Sequence, residues 1–235
     1  MKTIIHKAES RGHINHGWLD TYHTFSFANY YDPERVHFGT LRVINDDTIA
    51  AGEGFGQHPH DNMEIITIPL YGDLEHKDSM GNHGIIHHGD IQVMSAGTGI
   101  FHSEFNANKE IATQLLQIWV FPDKKNVTPR YDQISLVDIA KSNGLYQILS
   151  PNANEAGVWI HQQAWFHLGE LSEGWTGTYS FKGQNTGVYL FVIEGNITVV
   201  GQTLNRRDGI GISETNAIDI STTSQTQLLI MEVPM

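Results

Sequence analysis

The chain has 235 residues and a formal net charge of -12, from 14 lysines and arginines against 26 aspartates and glutamates. This acidic balance argues against direct binding to nucleic acid or to an anionic membrane surface, because both carry dense negative charge. Cysteine is absent, the N-terminus MKTIIHKAESRGH is too polar for a signal peptide, and no apolar run approaches the roughly 20 residues that cross a bilayer. We therefore expect a cytoplasmic protein without disulfides, thiolate metal sites or membrane spans.

Short apolar runs separated by glycine, asparagine and aspartate predict strands and tight turns along the whole chain. In chain order the predicted strands are His37–Ile44, Met63–Leu70, Ile91–Ser95, Gln114–Phe121, Ala164–Leu168, Tyr189–Ile193 and Gln227–Val233. Helical periodicity is almost absent, and the best helical candidate is the short segment Leu136–Lys141. The pattern predicts an all-β sandwich or barrel with few short helices.

Two stretches share one order of strands and turns, which indicates an internal repeat. Ile66–Gly89 and Phe191–Gly209 each read as strand, glycine, short strand, turn and short strand. The charged, proline-containing segment Phe121–Gln133 lies between them and divides the chain into halves of domain size. We predict an N-terminal domain over residues 1–133 and a C-terminal domain over residues 134–235.

Histidine is unevenly distributed, since 12 of the 14 histidines lie at or before His102. In the segment QHPHDNME, His58 and His60 are two residues apart, and alternate residues of a strand point to the same face. Pro59 between them has a fixed φ, which limits the motion of both neighbours. Two imidazoles that project together in this way can share one metal ion.

A second pair with the same spacing, His102 and Glu104, follows a glycine-rich turn in GTGIFHSE. If the two strands face each other across a small barrel, His58, His60, His102 and a carboxylate surround one centre. Four protein ligands leave two positions open on a six-coordinate ion, as an oxygen- or substrate-activating site requires. These nitrogen and oxygen donors suit Fe(II), Mn, Co, Ni, Cu or Zn, and the spacing does not choose among them.

Glu64 has the same parity as His58 and His60, so an unbroken strand would aim it at the same centre. Either Glu64 or Glu104 could supply the ligand carboxylate, while the other is hydrogen-bonded beside the site or acts as a general base. The segment that follows is rich in glycine and charged residues, and we interpret its histidines as turn and strand-surface residues. These are His76, His83, His87 and His88.

The motifs resemble those of cupins and, more narrowly, those of the pirin family. The spacing of Gly52, the pair His58 and His60, and Glu64 matches the first cupin pattern, and Gly89–Asn106 matches the second with serine where proline is usual. The segments HPHDNMEIITIPLYGDLEHKDSMGN and GDIQVMSAGTGIFHSE are similar to pirin sequences almost throughout. The resemblance covers about residues 17–133 and thins to a strand pattern in the second half.

What the resemblance implies is a pair of cupin β-barrels with a metal ion, usually iron, in the N-terminal barrel only. His58, His60, His102 and Glu104 would bind the ion, with Glu64 as a neighbour, and the C-terminal cupin domain would be degenerate. Bacterial pirins with this ligand set resemble quercetin 2,3-dioxygenases, which open the central ring of a flavonol with O2 and release carbon monoxide. Glu104 or Glu64 would then accept the proton of the flavonol 3-hydroxyl.

A flavonol needs a dry, apolar cavity, and six residues near the motifs are candidates for its wall: Phe25, Phe27, Phe55, Met94, Ile100 and Phe101. Two other functions stay open. Pirin-like proteins also resemble regulatory transcription cofactors that act through a protein partner without catalysis, and the acidic charge permits such a partner. A cupin enzyme acting on a small polar metabolite is the third reading, and it would place polar or cationic groups such as Arg42 or Lys77 at the pocket.

Overall fold

The computed structural model describes residues 1–235 and is built almost entirely of β-strands, which confirms the predicted all-β class. The strands of the first half are β1 (Lys2–His6), β2 (Gly12–Asn15), β3 (Leu19–His23), β4 (Leu41–Ile49), β5 (Gly54–His60), β6 (Glu64–Tyr71), β7 (Leu74–Asp78), β8 (His83–Ile86), β9 (Asp90–Ser95), β10 (Ile100–Asn106), β11 (Thr113–Val120) and β12 (Arg130–Ser135). Those of the second half are β13 (Gly144–Ser150), β14 (Val158–Trp159), β15 (Trp165–Leu171), β16 (Thr176–Ser180), β17 (Thr186–Glu194), β18 (Asn196–Val199), β19 (Gln202–Asn205), β20 (Gly209–Ser213), β21 (Ala217–Thr222) and β22 (Thr226–Pro234).

The one helical element is a 3-10 turn at Ala8–Ser10. The short helix predicted at Leu136–Lys141 is wrong, because this segment forms a turn in which the Ala140 N–H donates to the Leu136 carbonyl at 2.8 Å. Leu136 and Ile139 pack on the core between the halves, but six residues form too few helical hydrogen bonds to offset the cost of nucleating a helix.

Each half consists of a seven-stranded and a four-stranded sheet. In the first half the sheet orders are β12-β9-β6-β11-β4-β3-β2 and β5-β10-β7-β8. In the second half they are β1-β20-β17-β22-β15-β13-β14 and β16-β21-β18-β19. Neighbouring strands pair antiparallel apart from β13 and β14. Each half is therefore a cupin-type fold of two packed sheets, as the resemblance implied, without a closed barrel.

The sheets do not follow the predicted division at residue 133 everywhere. β1, from the extreme N-terminus, pairs with β20 in the second half, in a register from Lys2 opposite Ser213 to His6 opposite Gly209. β12 spans the predicted boundary and pairs with β9 of the first half along its whole length. The division into residues 1–133 and 134–235 stays a prediction, and β1 ties the two halves together.

The two halves share one apolar core and differ in their interiors. A cluster of 25 buried residues contains side chains from both seven-stranded sheets, so the two sheets pack face to face. The interior of the second half holds a further 14 buried apolar residues. The interior of the first half has only two small apolar clusters, of five and four buried residues, with polar side chains between them. The room for a polar site therefore lies in the first half.

A buried group of charges also joins the halves. The Asp46 carboxylate accepts a hydrogen bond from Arg11 Nη1 at 3.0 Å and lies 3.3 Å from Arg207 Nε, and both guanidinium groups are 5% exposed. Arg207 belongs to the second half, whereas Asp46 lies on β4 of the first. Asp46 is thus the closer counter-charge of both buried cations, and Glu194 lies 3.7 Å from Arg207 Nη2 as a second, half-exposed carboxylate.

Replacing the Asp46 carboxylate should therefore destabilise the whole chain. We expect Asp46→Asn to lower the free energy of unfolding by about 3 kcal/mol, because two buried guanidinium charges lose their shared counter-charge. Urea denaturation at neutral pH measures the loss. Lys2→Gln is the matched control, since its ion pair with Glu214 is more than half exposed and water screens it. Equal losses in the two variants would contradict the assigned role of Asp46.

Candidate metal centre

β5 and β10 lie side by side and bring the two histidine-bearing motifs together. His102 is directly opposite His58, and Ile100 is opposite His60, so the three imidazoles project from neighbouring positions of one sheet. A β-bulge after His102 then shifts the register and places Glu104 opposite Phe55. Gly54 permits this close pairing, because a Cβ atom there would lie 2.2 Å from the Glu104 carbonyl oxygen.

The three imidazoles surround a common point. Their ring centroids are 4.4 Å apart for His58 and His102, and 4.9 Å apart for His60 and each of the other two. One nitrogen of each ring lies within 4.8 Å of a nitrogen of the other two. Because metal-to-imidazole bonds are about 2.1 Å long, such an arrangement fits one shared ion.

His102 provides the test of whether this cluster suits a metal ion. Its side chain is buried, and neither of its ring nitrogens has a hydrogen-bond partner within the protein. A buried polar atom without a partner is costly, and a metal ion would remove that cost for one nitrogen. The donor set therefore fits a divalent cation.

Burial keeps the cluster in the form that binds metal. Burial, followed by the neighbouring imidazoles His102 and His58, lowers the pKa of His60 to about 4. Burial together with His58 and His76 lowers the pKa of His102 to about 3. At neutral pH both rings are uncharged and keep a lone pair for a cation.

Neighbouring groups fix two of the rings. The His58 Nδ1 lies 2.8 Å from the Gly56 carbonyl oxygen, which can only accept, so Nδ1 carries the proton and Nε2 keeps its lone pair. The Trp119 ring packs edge-on against His60, with 4.9 Å between the centroids. Both rings are thus oriented before any ion binds.

Glu104 is buried beside the imidazoles and points into the sandwich. Gln117 Nε2 donates to both of its carboxylate oxygens at 3.2 Å, and the Thr67 hydroxyl contacts it at 3.5 Å. A carboxylate oxygen of Glu104 lies within 4.8 Å of a nitrogen of His102 and of one of His76. Glu104 is not within that distance of His58 and His60, so His102 belongs to two groups, one with His58 and His60 and one with His76 and Glu104. The binding of one ion by His58, His60, His102 and Glu104 stays a prediction.

Glu64 was expected beside His58 and His60 on the assumption that one unbroken strand carries all three residues. That assumption is wrong. The chain turns after His60, where Asn62 has a φ of 44°, and a new strand begins at Glu64. On that strand Thr67 contacts Glu104, so residues of the opposite parity face the second half. Glu64 accepts a hydrogen bond from Ser95 Oγ at 2.7 Å, and burial raises its pKa to about 7.

His76 is a site residue that the sequence interpretation missed. It is fully buried on β7, opposite Glu104 on β10, and is not the turn or surface residue that we expected. The sequence LEHKD contained a signal of burial that could have identified His76. Leu74, His76 and Asp78 are alternate residues of a strand and share one face, and the apolar Leu74 marks that face as buried. The other three histidines interpreted as surface residues are exposed: His83, His87 and His88.

A cavity lies near the imidazoles, although none of the four predicted ligands lines it. Phe55, whose ring centroid is 6.3 Å from that of His58, and Phe27, which packs against Trp119 at 5.3 Å, both line it. Trp18 and Leu19 extend this apolar wall. The polar lining consists of Asn45, Asp47, Thr21, His23, His16 and Asn29. A molecule with both apolar and hydroxylated parts matches this surface.

The other predicted wall residues lie elsewhere. Met94 and Ile100 belong to a buried cluster that packs against Trp119, and Phe25 belongs to the core between the halves. Phe101 is half exposed, because its parity on β10 is opposite to that of His102. The two cations considered for the pocket do not line it either: Arg42 donates to main-chain carbonyls, and Lys77 is exposed.

Comparisons with known proteins match the whole chain. The Pirin family model matches residues 5–120, and the model described as quercetinase C-terminal cupin domain matches residues 147–233. The chain is 43% identical over 230 residues to a protein named quercetin 2,3-dioxygenase from Escherichia coli K12, with 98% of both chains covered. It is 38% identical over 222 residues to a pirin-like protein of Caulobacter vibrioides, with 94% and 95% covered.

A solved structure agrees with these sequence matches. The crystal structure of the bacterial pirin YhhW from Escherichia coli in complex with nickel(II) superposes with a TM-score of 0.94 at 42% identity, covering 99% of each chain. No helix in the present structure is both long and apolar enough to span a membrane. Identity at this level over nearly the full length decides the classification: the chain belongs to the pirin family.

Proposed function

We propose that the protein is a metal-dependent dioxygenase that opens the ring of a flavonol with O2, as a quercetin 2,3-dioxygenase does. The observation that carries the proposal is His102, a buried imidazole with both nitrogens free, directly opposite His58 and beside Glu104. The quercetin 2,3-dioxygenase name of the 43% identical relative supports the reaction class.

The ligands that we propose are His58, His60, His102 and Glu104, and the ion that we propose is Fe(II). The same donors accept Mn, Co, Ni, Cu or Zn, and the nickel(II) complex of the Escherichia coli pirin supports a divalent ion. When bound, the ion supplies Lewis-acid stabilisation of the negative charge on a deprotonated flavonol. A cytoplasmic location stays a prediction.

We assign the proton-accepting role to Glu104. Its carboxylate is buried next to His102 and is oriented by Gln117 and Thr67, so it can take the proton of a hydroxyl group that enters the cluster. Phe27 and Phe55 give the neighbouring cavity an apolar wall, which suits the rings of a flavonol. Glu64 faces the second half of the chain, and we assign it no proton transfer.

The activity can be tested by incubating the protein with quercetin under air and following the loss of flavonol absorbance. We expect turnover by protein loaded with Fe(II) or Ni(II), and none by protein stripped with a chelator or by His58→Ala. The His58 variant is informative because its ring sits at the outer side of the cluster, where it is only partly buried. Equal rates in loaded wild type and His58→Ala would remove the enzyme proposal.

A cupin enzyme acting on another small metabolite is the second candidate function. The polar lining formed by Asp47, Asn45 and His23 favours it, since burial raises the pKa of Asp47 to about 7 and makes this carboxyl a hydrogen-bonding group for hydroxylated ligands. A loaded protein that binds one ion and consumes O2 only with a non-flavonol substrate would support this candidate. The function as a regulatory protein with a protein partner stays a prediction from the resemblance.

A further inference from the structure

We propose that Asp78 and His76 form a hydrogen-bonded relay that holds His102 in its metal-binding orientation, so that His76 is a positioning residue for the ion. The inference rests on the metal site proposed above and adds two residues to it. Both residues lie on β7, which pairs with β10 on the side opposite β5. In that pairing Asp78 is opposite His102 and His76 is opposite Glu104.

Asp78 is a fixed hydrogen-bond acceptor. The N–H groups of Met80 and Asn82 donate to its Oδ1 at 2.9 and 3.0 Å, and Asn82 Nδ2 donates to its Oδ2 at 2.8 Å. A carboxylate that receives three N–H groups has no proton to give, so the 3.3 Å contact from His76 Nε2 to Oδ2 is a donation by His76. This contact fixes the tautomer of His76.

His76 Nδ1 is consequently a lone-pair acceptor without a partner. It is buried, and the Tyr131 ring packs against the imidazole with 4.7 Å between centroids, so His76 cannot turn toward solvent. The nearest group that lacks a partner is His102, whose ring centroid is 5.4 Å away. One nitrogen of His76 lies within 4.8 Å of one nitrogen of His102. The relay requires the His102 ring to turn so that its N–H reaches His76 Nδ1.

This relay accounts for every unpaired nitrogen in the cluster. A neutral imidazole carries one N–H and one lone pair. If the His102 N–H donates to His76 Nδ1, the two orphaned groups satisfy each other, and a single lone pair remains on His102 for the cation. Metal-bound histidines generally donate their second nitrogen in this way, which orients the ring and makes the binding nitrogen more basic.

The relay can be tested through metal affinity, without reference to catalysis. Cobalt(II) is titrated into metal-free full-length protein, and its visible absorption bands are followed in competition with a chelating indicator. We expect His76→Phe to weaken cobalt binding by about 10- to 100-fold and to change the bands. We expect His76→Gln to recover most of this loss, because an amide can donate to Asp78 and accept from His102.

Asp78→Asn tests the same relay with almost no change in shape. The two backbone N–H groups keep the side-chain oxygen on their side, so the new NH2 group faces His76 and forces the opposite tautomer. The Asn82 amide, which donates to Oδ2 in the wild type, turns to present its oxygen to the new NH2 group. His76 Nδ1 then carries a proton and cannot accept from His102, so we expect weaker cobalt binding here too. This variant keeps the proposal testable if His76→Phe does not fold.

His83→Phe is the matched control, since His83 on β8 also lies beside a carboxylate, that of Glu75 on β7, but is exposed. It should bind cobalt like the wild type. Wild-type affinity in His76→Phe and Asp78→Asn, or equal losses in the Phe and Gln variants, would overturn the relay. If His58→Ala also binds cobalt normally, the metal site itself fails; if only His58→Ala is weakened, the relay alone fails.

Discussion

Replacing His102 with alanine should reduce the bound metal from about one ion per chain to a trace and abolish flavonol turnover. His102 faces His58 across the β5–β10 pair and is the one residue that both groups of potential ligands share. Its loss removes the only imidazole that β10 contributes. Metal analysis after loading with nickel(II) and desalting measures the effect.

His167→Ala is the control for this substitution. His167 is another buried histidine, on β15 in the second half, where its Nδ1 lies 3.4 Å from the Tyr179 hydroxyl oxygen, and it belongs to neither group of potential ligands. Its variant should retain the ion even if it loses stability. Loss of metal from both variants would mean that unfolding, and not ligation, explains the result.

The second large effect should separate the two glutamates. We expect Glu104→Gln to slow quercetin consumption by about 100-fold or more, because the buried base beside the imidazoles is lost. Glu64→Gln should leave the rate within a few-fold of wild type, since Glu64 contacts Ser95 and faces the second half. Initial rates on metal-loaded samples, each corrected for metal content, give the comparison.

This comparison has a clear contrary outcome. Should Glu64→Gln lose most of the activity while Glu104→Gln retains it, proton transfer would belong to the other carboxylate, and the assignment made from strand parity would be incorrect. Metal content must be measured in the same samples, because Glu104 is also a proposed ligand.

Strand positions were largely predictable, because apolar runs bounded by glycine and asparagine correspond to strands that bury one or both faces. Met63–Leu70 and Gln114–Phe121 agree with β6 and β11 to within one residue at each end. The strand predicted from His37 begins at Leu41 instead. There Gly39, with a φ of 53°, turns the chain against the Pro234 carbonyl, a contact with the far end of the sequence that no local pattern shows.

The histidines of the site were predictable for a similar reason. His58 and His60, like His102 and Glu104, are spaced two residues apart, which is the period of residues on one face of a strand. The structure places the first pair on β5 and the second on β10. Glu64 was misplaced because a turn at Asn62 interrupts that period, and asparagine with a positive φ does not break a sequence pattern visibly. His76 was missed because its polar neighbours made a buried strand face look like a loop.

Contacts between distant segments are what the sequence could not predict. β1 pairs with β20 across more than 200 residues, and Asp46 meets Arg207 across the interface between halves. Such pairings depend on how the two similar sandwiches are arranged in space. The local sequence pattern of each segment carries no information about them. The same holds for His102 and His76, whose closeness depends on β10 lying between β5 and β7.

A crystal structure of the nickel(II)-loaded protein, with anomalous scattering collected at the nickel edge, tests the central claim most directly. We predict one strong peak in the first half, about 2.1 Å from a ring nitrogen of His58, His60 and His102 and from a carboxylate oxygen of Glu104. A peak only at exposed histidines such as His83 or His87, or a His102 ring turned away from His58, would contradict the account.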